Sequence, residues 1–261
     1  MNLPVTPNRE LGQHFLVDEN ILGVAGRLAE LDREDVVLEV GAGLGVLTAY
    51  LADRVRFVHA VELDRSLEPH LRDRLAGRTN FELVVGDALR LPLHELDPPP
   101  GKLVANLPYQ IATPLVAESL GSLPTVRLWC VLVQREVADR FFARTGTKSY
   151  GAVSVLVRLT AERIGIHPVA RTCFAPPPNV DSGLVAFHRA RDWGPELARL
   201  REVVQAAFAH RRKTLANSLE LAGLAGRGRA VAALRELGQP AGVRAEALEP
   251  EELLRLADLL P

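Results

Sequence analysis

The sequence carries only two cysteines, Cys130 and Cys173, in 261 residues. So few argue against a disulfide framework and fit a reduced, cytoplasmic setting. Lysine is nearly missing as well: of 31 basic residues only Lys102, Lys148 and Lys213 are lysine. An imbalance of that size reflects genome base composition, since the usual sequence signal of thermostability includes lysine. No sign of charge dominates. With a formal net charge of -1, the chain is no polybasic wrapper of nucleic acid, and any such surface must be a local patch. There is no apolar run long enough to span a bilayer, and the start Met-Asn-Leu-Pro-Val-Thr-Pro lacks the charged and apolar blocks of a signal peptide. Metal-ligand spacing is missing too. His14, His59, His70, His94, His167, His188 and His210 form no close pair of the His-x-x-x-His kind, and the two cysteines are far apart. These absences lead to the expectation of a soluble cytoplasmic protein with no metal, no membrane partner and no internal repeat.

What is present is an alternation of strand and helix signals over about two thirds of the chain. Val36 to Val40 is an apolar run broken only by Glu39, and it ends in Gly-Ala-Gly-Leu-Gly. A helix pattern follows through Leu47, Leu51 and Val55. Further strands are expected over Phe57 to Val61, ending at Glu62, and over Phe81 to Val85, Leu103 to Ala105 and Val126 to Val133, with a helix over 65–75. Continuous rather than alternating apolar runs indicate strands buried on both faces, so the fold class is α/β with a mostly parallel, Rossmann-like sheet. Two more strands are expected between Ala161 and His188, around the rigid stretch Phe174-Ala-Pro-Pro-Pro-Asn-Val-Asp-Ser. From residue 195 to 259 the chain is helix-forming, punctuated by Gly223, Gly226 and Gly238. This sets an expected boundary near Asp192, with a sheet domain over 1–191 and a small all-α domain over 192–261.

In open parallel sheets, ligands bind outside the carboxyl ends of the strands. Four successive strand ends here carry Gly41, Glu62, Asp87 and Asn106. The glycine turn lets a ligand approach the backbone. Glu62, 21 residues after Gly41, is placed to accept from both ribose hydroxyls, and Asp87 from an adenine amino group. The G-x-G-x-G spacing and the second acidic strand end suit S-adenosylmethionine better than a nicotinamide dinucleotide. Asn106-Leu107-Pro108-Tyr109 adds an amide, a stiffened turn and an aromatic face, which is what holding an amino-bearing base requires.

These motifs bring the chain close to a known family. It resembles the bacterial KsgA-type small-subunit ribosomal RNA adenine dimethyltransferases nearly end to end. The likeness rests on Leu11-Gly12-Gln13-His14-Phe15-Leu16, the Glu39 to Gly45 turn, Asn106 to Tyr109, Phe174 to Ser182, and Phe208 to Ser218 with its Arg211-Arg212-Lys213. The resemblance implies a class I methyltransferase using S-adenosylmethionine, acting as a monomer on two adjacent adenines in the 3'-terminal hairpin of 16S rRNA during small-subunit biogenesis. It further implies that Gln13, His14 and Leu16 close over the cofactor, and that Gly41, Gly43, Glu62, Leu63, Asp87, Ala88 and Asn106 bind it. His14 stands where the family more often has asparagine, and Asn179 where it often has lysine.

In the implied reaction the adenine N6 attacks the methyl group directly. Two acceptors, the Asn106 oxygen and a backbone carbonyl of Leu107 or Pro108, would draw the N6 hydrogens out of the ring plane and free its lone pair. The base must be extruded or already unstacked. Tyr109 and Phe174 are the candidates for sandwiching it, although an aromatic before a proline run is also commonly a packing residue. Phosphate contacts are expected from Arg144, Lys148, Arg211, Arg212 and Lys213. Two alternatives stay open: a 23S rRNA adenine methyltransferase of the macrolide-resistance type, which the helical addition would discriminate, and an assembly checkpoint acting mainly by binding. A DNA target explains the basic helical addition poorly.

Overall fold

In the computed structural model, which describes residues 3–8 and 10–261, a two-residue strand β1 (Phe15–Leu16) leads into helix α1 (Glu19–Leu28). Asp18 starts that helix by accepting the Asn20 N–H at 2.9 Å, an N-cap. Ile21, Leu22 and Ala25 form its buried face. The alternation read from the sequence then appears as β2 (Val36–Val40), α2 (Val46–Ala52), β3 (Phe57–Glu62), α3 (Glu68–Arg74), β4 (Phe81–Val85), β5 (Lys102–Asn106), α4 (Ala112–Ser122) and β6 (Leu128–Gln134). After these come α5 (Arg135–Phe141), α6 (Ala152–Thr160), β7 (Ala161–Val169), β8 (Phe174–Ala175) and β9 (Ser182–Arg189). The chain closes with α7 (Glu196–Ala209), α8 (Leu215–Leu221), α9 (Arg227–Glu236) and α10 (Pro250–Leu259). The helix expected over 65–75 is split: Asp64 caps a 3-10 turn over Arg65–Leu67, and α3 begins only at Glu68, with Pro69 in its first turn.

Seven strands form one sheet in the order β4-β3-β2-β5-β6-β9-β7. β2 to β6 run parallel, and β9 joins β6 antiparallel, with Val131 opposite Val185. All five residues of β2 are buried, Glu39 among them. β4 at the sheet edge is only half-buried, so the apolar run Phe81 to Val85 covers one face rather than two. The strand order reverses at β2, whose neighbours are β3 and β5. That reversal opens a crevice between the carboxyl ends of β2 and β5. A second, two-stranded ladder pairs Phe15 with Ala175 and Leu16 with Phe174. Arg189, buried at the end of β9, donates to the carbonyls of Leu120, Leu123 and Val126 at 2.9 to 3.1 Å. It thereby satisfies orphan carbonyls at and beyond the end of α4.

The chain divides into two compact units, one running to Ala138 and including Glu162–Arg189, the other comprising Asp139–Ala161 and Ala190–Pro261. A single cut near Asp192 therefore misplaces residues 139–161. They join the helical unit because α6 packs on α7 and α10. Tyr150 Oη donates to Leu248 O at 2.9 Å, and Arg158 pairs with Glu249 at 3.1 Å. α10 starts on a reciprocal cap in which Glu249 N–H donates to Glu252 Oε2 at 2.8 Å. Among the described residues no helix is long and apolar enough to cross a membrane, and no group of three or more His, Cys, Asp or Glu could hold a metal ion.

Candidate active site

The turn after β2 needs glycine at two points. Gly41 and Gly43 have φ of 81° and 57°, in the left-handed region. A Cβ on Gly41 would sit 2.9 Å from Pro108 Cδ, and one on Gly43 3.1 Å from Phe15 Cδ1. The turn is thus wedged between the Asn106–Tyr109 segment and the N-terminal strap. Gly43 N–H donates to Glu62 Oε2 at 2.7 Å and Asp64 N–H to Glu62 Oε1 at 2.9 Å. Burial pushes the Glu62 carboxyl up, while these N–H groups pull it down. Each oxygen keeps a further lone pair for a ribose hydroxyl.

The strap is tied to the same place. Gln13 Nε2 donates to Asp64 Oδ2 at 2.7 Å, and its Oε1 accepts the Asn8 N–H at 2.8 Å. The Ser66 hydroxyl holds Asp64 below the usual carboxylate range, and Gln13 adds to this. Neither Asp64 nor Ser66 follows from the strand-end pattern; the signal for Asp64 was an acid two residues beyond Glu62. At the end of β4, Asp87 Oδ1 accepts the Leu89 N–H at 3.0 Å, and Arg90 pairs with its other oxygen at 3.3 Å. Leu63, 52% exposed, leaves an apolar face open between Glu62 and Asp87.

At the end of β5, Asn106 Nδ2 donates to His14 O at 3.1 Å. A carbonyl can only accept, so the amide oxygen is the end of Asn106 left for an amine hydrogen. Leu107 is anchored by its N–H to Leu132 O at 3.0 Å. Of the two backbone carbonyls proposed as second acceptor, that of Pro108 already receives the N–H groups of Ile111 and Ala112, both at 3.1 Å. Pro108 O is thus the one already committed, which leaves Leu107 O as the candidate. Tyr109 Oη meets Ser182 Oγ at 2.7 Å, its ring lies 5.7 Å from that of His14 at 32°, and burial pushes its phenol up, which keeps it neutral. Ser182 closes the Phe174 to Ser182 motif, and nothing in the sequence pattern marks it as reaching the site.

One cavity of about 110 Å³ is lined by Gln13, His14, Gly41, Gly43, Glu62, Leu63, Asp87, Ala88, Asn106, Leu107, Pro108 and Tyr109, with Phe15, Val61 and Ile111 among its apolar walls. Two expected residues are elsewhere. Phe174 is 3% exposed and packs in the core with Leu22, Leu184 and Val169. It is a core residue and not a wall of the base site, because β8 pairs its backbone with Leu16. Leu16 belongs to the same core and borders two smaller cavities beside the site.

In the helical unit, Arg144 and Lys148 lie on one exposed loop, and Arg211, Arg212 and Lys213 on the exposed turn between α7 and α8. Arg211 Nη2 donates to Lys148 O at 3.0 Å and Tyr150 O at 3.1 Å, so the two segments form one basic surface. Arg211 is the bolt that joins them.

The model of a family described as ribosomal RNA adenine dimethylase matches residues 5–260. The ribosomal RNA small subunit methyltransferase A of Rubrobacter xylanophilus is 44% identical over 252 residues, covering 96% of this chain and 94% of its own. The protein of the same description from Kineococcus radiotolerans is 44% identical over 265 residues, 98% of this chain and 86% of its own. Among solved structures, a dimethyladenosine transferase from Plasmodium falciparum superposes with a TM-score of 0.74 at 24% identity, over 93% of this chain and 96% of that one. That likeness speaks for the fold. The 23S rRNA methyltransferase ErmE gives a TM-score of 0.65 at 32% identity, over 94% of this chain and 99% of its own. Coverage of that extent reaches into the C-terminal helices. A helical addition by itself therefore does not separate small-subunit from large-subunit enzymes; the expected discriminator also includes Arg211-Arg212-Lys213.

Proposed function

The chain belongs to the ribosomal RNA adenine dimethylase family, and from that premise we propose that its target is small-subunit 16S rRNA, at two adjacent adenines of the 3'-terminal hairpin, during subunit assembly. It is an S-adenosylmethionine-dependent rRNA adenine N6-dimethyltransferase. The residues present fit that cofactor: Glu62 keeps lone pairs for the ribose, Asp87 for the adenine amine, and the glycine turn is open to backbone approach. The action of a cytoplasmic monomer completes the reading. Its support for the small subunit is the 44% identity to enzymes of that description, against 32% to ErmE.

When bound, the cofactor supplies an electrophilic sulfonium methyl group. Everything else falls to the chain. Adenine N6 is a poor nucleophile because its lone pair is delocalised into the ring. Asn106 Oδ1 and Leu107 O accept its two hydrogens from outside the ring plane, which pyramidalises the nitrogen and localises the lone pair. Tyr109 supplies a stacking face for the extruded base. On the second round N6 carries one hydrogen and one methyl, so a single acceptor suffices and the other direction must tolerate the methyl group. No nucleophilic side chain is required; Cys130, the nearest thiol to the sheet core, is pushed up to about 12 by burial.

The observation that carries this reading is the Asn106–Leu107 pair, held by Asn106 Nδ2 donating to His14 O and Leu107 N–H donating to Leu132 O, beside a carboxylate-bearing cavity. The test is transfer from labelled S-adenosylmethionine to unmethylated small subunits, large subunits and free rRNA, followed by nucleoside mass spectrometry. Dimethyladenosine in small-subunit RNA is the expected result. Label in large-subunit RNA alone would reassign the target, and tight subunit binding without transfer would leave a binding factor.

A further inference from the structure

Beside the reaction cavity lies a groove that the methyl transfer does not use. Leu3, Val5 and Pro7 form one side of it and Pro176, Pro177 and Asn179 the other, and it shares Gln13 and His14 with the reaction cavity. Its volume is about 1050 Å³, just above the roughly 300–1,000 Å³ typical of small-molecule sites.

The wall from Pro176 to Ser182 is hung at both ends on the base-holding residues. Pro176 O faces His14 Nδ1 at 2.8 Å, and Ser182 Oγ meets Tyr109 Oη at 2.7 Å. Between these anchors, Arg171 braces the loop, donating to Asn179 O at 3.4 Å and pairing with Asp181 at 3.7 Å. The groove is thus fixed in position relative to Asn106 and Tyr109 rather than being a loose surface feature.

Its chemistry selects an occupant. Among the described residues that line it there is no Asp, Glu, Lys or Arg. Such a lining offers no cation to a phosphate. It does offer apolar proline and aliphatic faces for a planar ring, and the Asn179 amide for a ring edge, the pairing that suits adenine. We propose that this groove is a second base site, which receives the nucleotide next to the target adenine while the target lies against Asn106. The proposal rests on the rRNA-methylating reading above. It gives adjacent adenines a route to the same active centre, a one-nucleotide step past His14, which borders both cavities.

The test places the photo-crosslinking residue benzoylphenylalanine at position 179 of the full chain, with unmethylated ribosomal subunits and S-adenosylhomocysteine present. Primer extension should stop at the nucleotide immediately flanking the adenine that the wild-type protein methylates. In parallel, Asn179→Trp should raise KM for the subunits about tenfold, the scale of one base-edge contact, with kcat and cofactor affinity unchanged. Crosslinks to distant nucleotides or only within the protein, or a wild-type KM for Asn179→Trp, would overturn the groove assignment. Failure of the function reading shows separately, as the absence of dimethyladenosine from small-subunit RNA with the wild-type protein. If the wild-type protein instead methylates large-subunit RNA, the same crosslink mapped there decides the groove.

Discussion

Asn106, the side chain proposed to accept from the target amine, shows how neighbours set which end of an amide is free. Its nitrogen is spent on His14 O at 3.1 Å, which fixes which end of the amide meets the substrate. Asn106→Ala removes one of two acceptors and should cut methyl transfer by about 100-fold or more, as loss of one preorganised hydrogen-bond partner does elsewhere. Cofactor affinity, which the proposed reading assigns mainly to Glu62 and Asp87, should change little, and equilibrium titration beside the transfer assay separates the two. Glu39 is the opposite case, a charge-bearing group placed where charge is costly. It is 1% exposed, its Oε2 has no partner among the described residues, and burial pushes its carboxyl up to about 8. Below the ordinary value of 4.5 both folded and unfolded chains are protonated there. Between 4.5 and about 8 the folded chain holds a proton that the unfolded chain has lost, so its stability falls as pH rises. Above that range the full cost is present. Glu39→Gln should therefore match the wild type near pH 5 and exceed it increasingly towards pH 8, at roughly 2–4 °C in Tm per kcal/mol for a chain of this size. Thermal melts across that range, without cofactor, check the sign.

At the scale of elements, the glycine turn and the β5 end form one device. Gly41 at φ 81° has Pro108 where a Cβ would go. Gly41→Ala must strain the turn and push Pro108, which shifts Leu107 and Asn106 with it. The expected cost is about 1–3 kcal/mol in stability, together with loss of both cofactor affinity and transfer. Denaturant unfolding and cofactor titration measure these. A variant that lost transfer but bound cofactor normally would show that the turn and the acceptor pair are independent. The strands themselves were legible from sequence because interior parallel strands are apolar on both faces, as β2 and β5 are. The insertion of β9 between β6 and β7 was not legible, since pairing across the sheet leaves no mark in local periodicity.

For the molecule as a whole, a net charge of -1 leaves the RNA contact to local surfaces. Arg212 and Lys213 are exposed beside Arg211, whose guanidinium is engaged with the 148–150 backbone. Replacing Arg212 and Lys213 together by glutamine should flatten the dependence of log affinity on log salt by about 1.4–1.8, at roughly 0.7–0.9 per phosphate contact. Transfer at saturating RNA should stay near wild type. Binding measured at several salt concentrations tests this; an unchanged slope would remove both residues from the RNA surface.

The order of strands and helices and the strand ends that line the cavity follow from local sequence, because burial periodicity, glycine spacing and side-chain chemistry are local properties. Tertiary structure alone decided the rest. It took Phe174 into the core beside Leu16, gave residues 139–161 to the helical unit, and committed Pro108 O to Ile111 and Ala112. Each of those outcomes depends on which distant groups meet in space, and hydrogen-bond capacity and packing are settled only there.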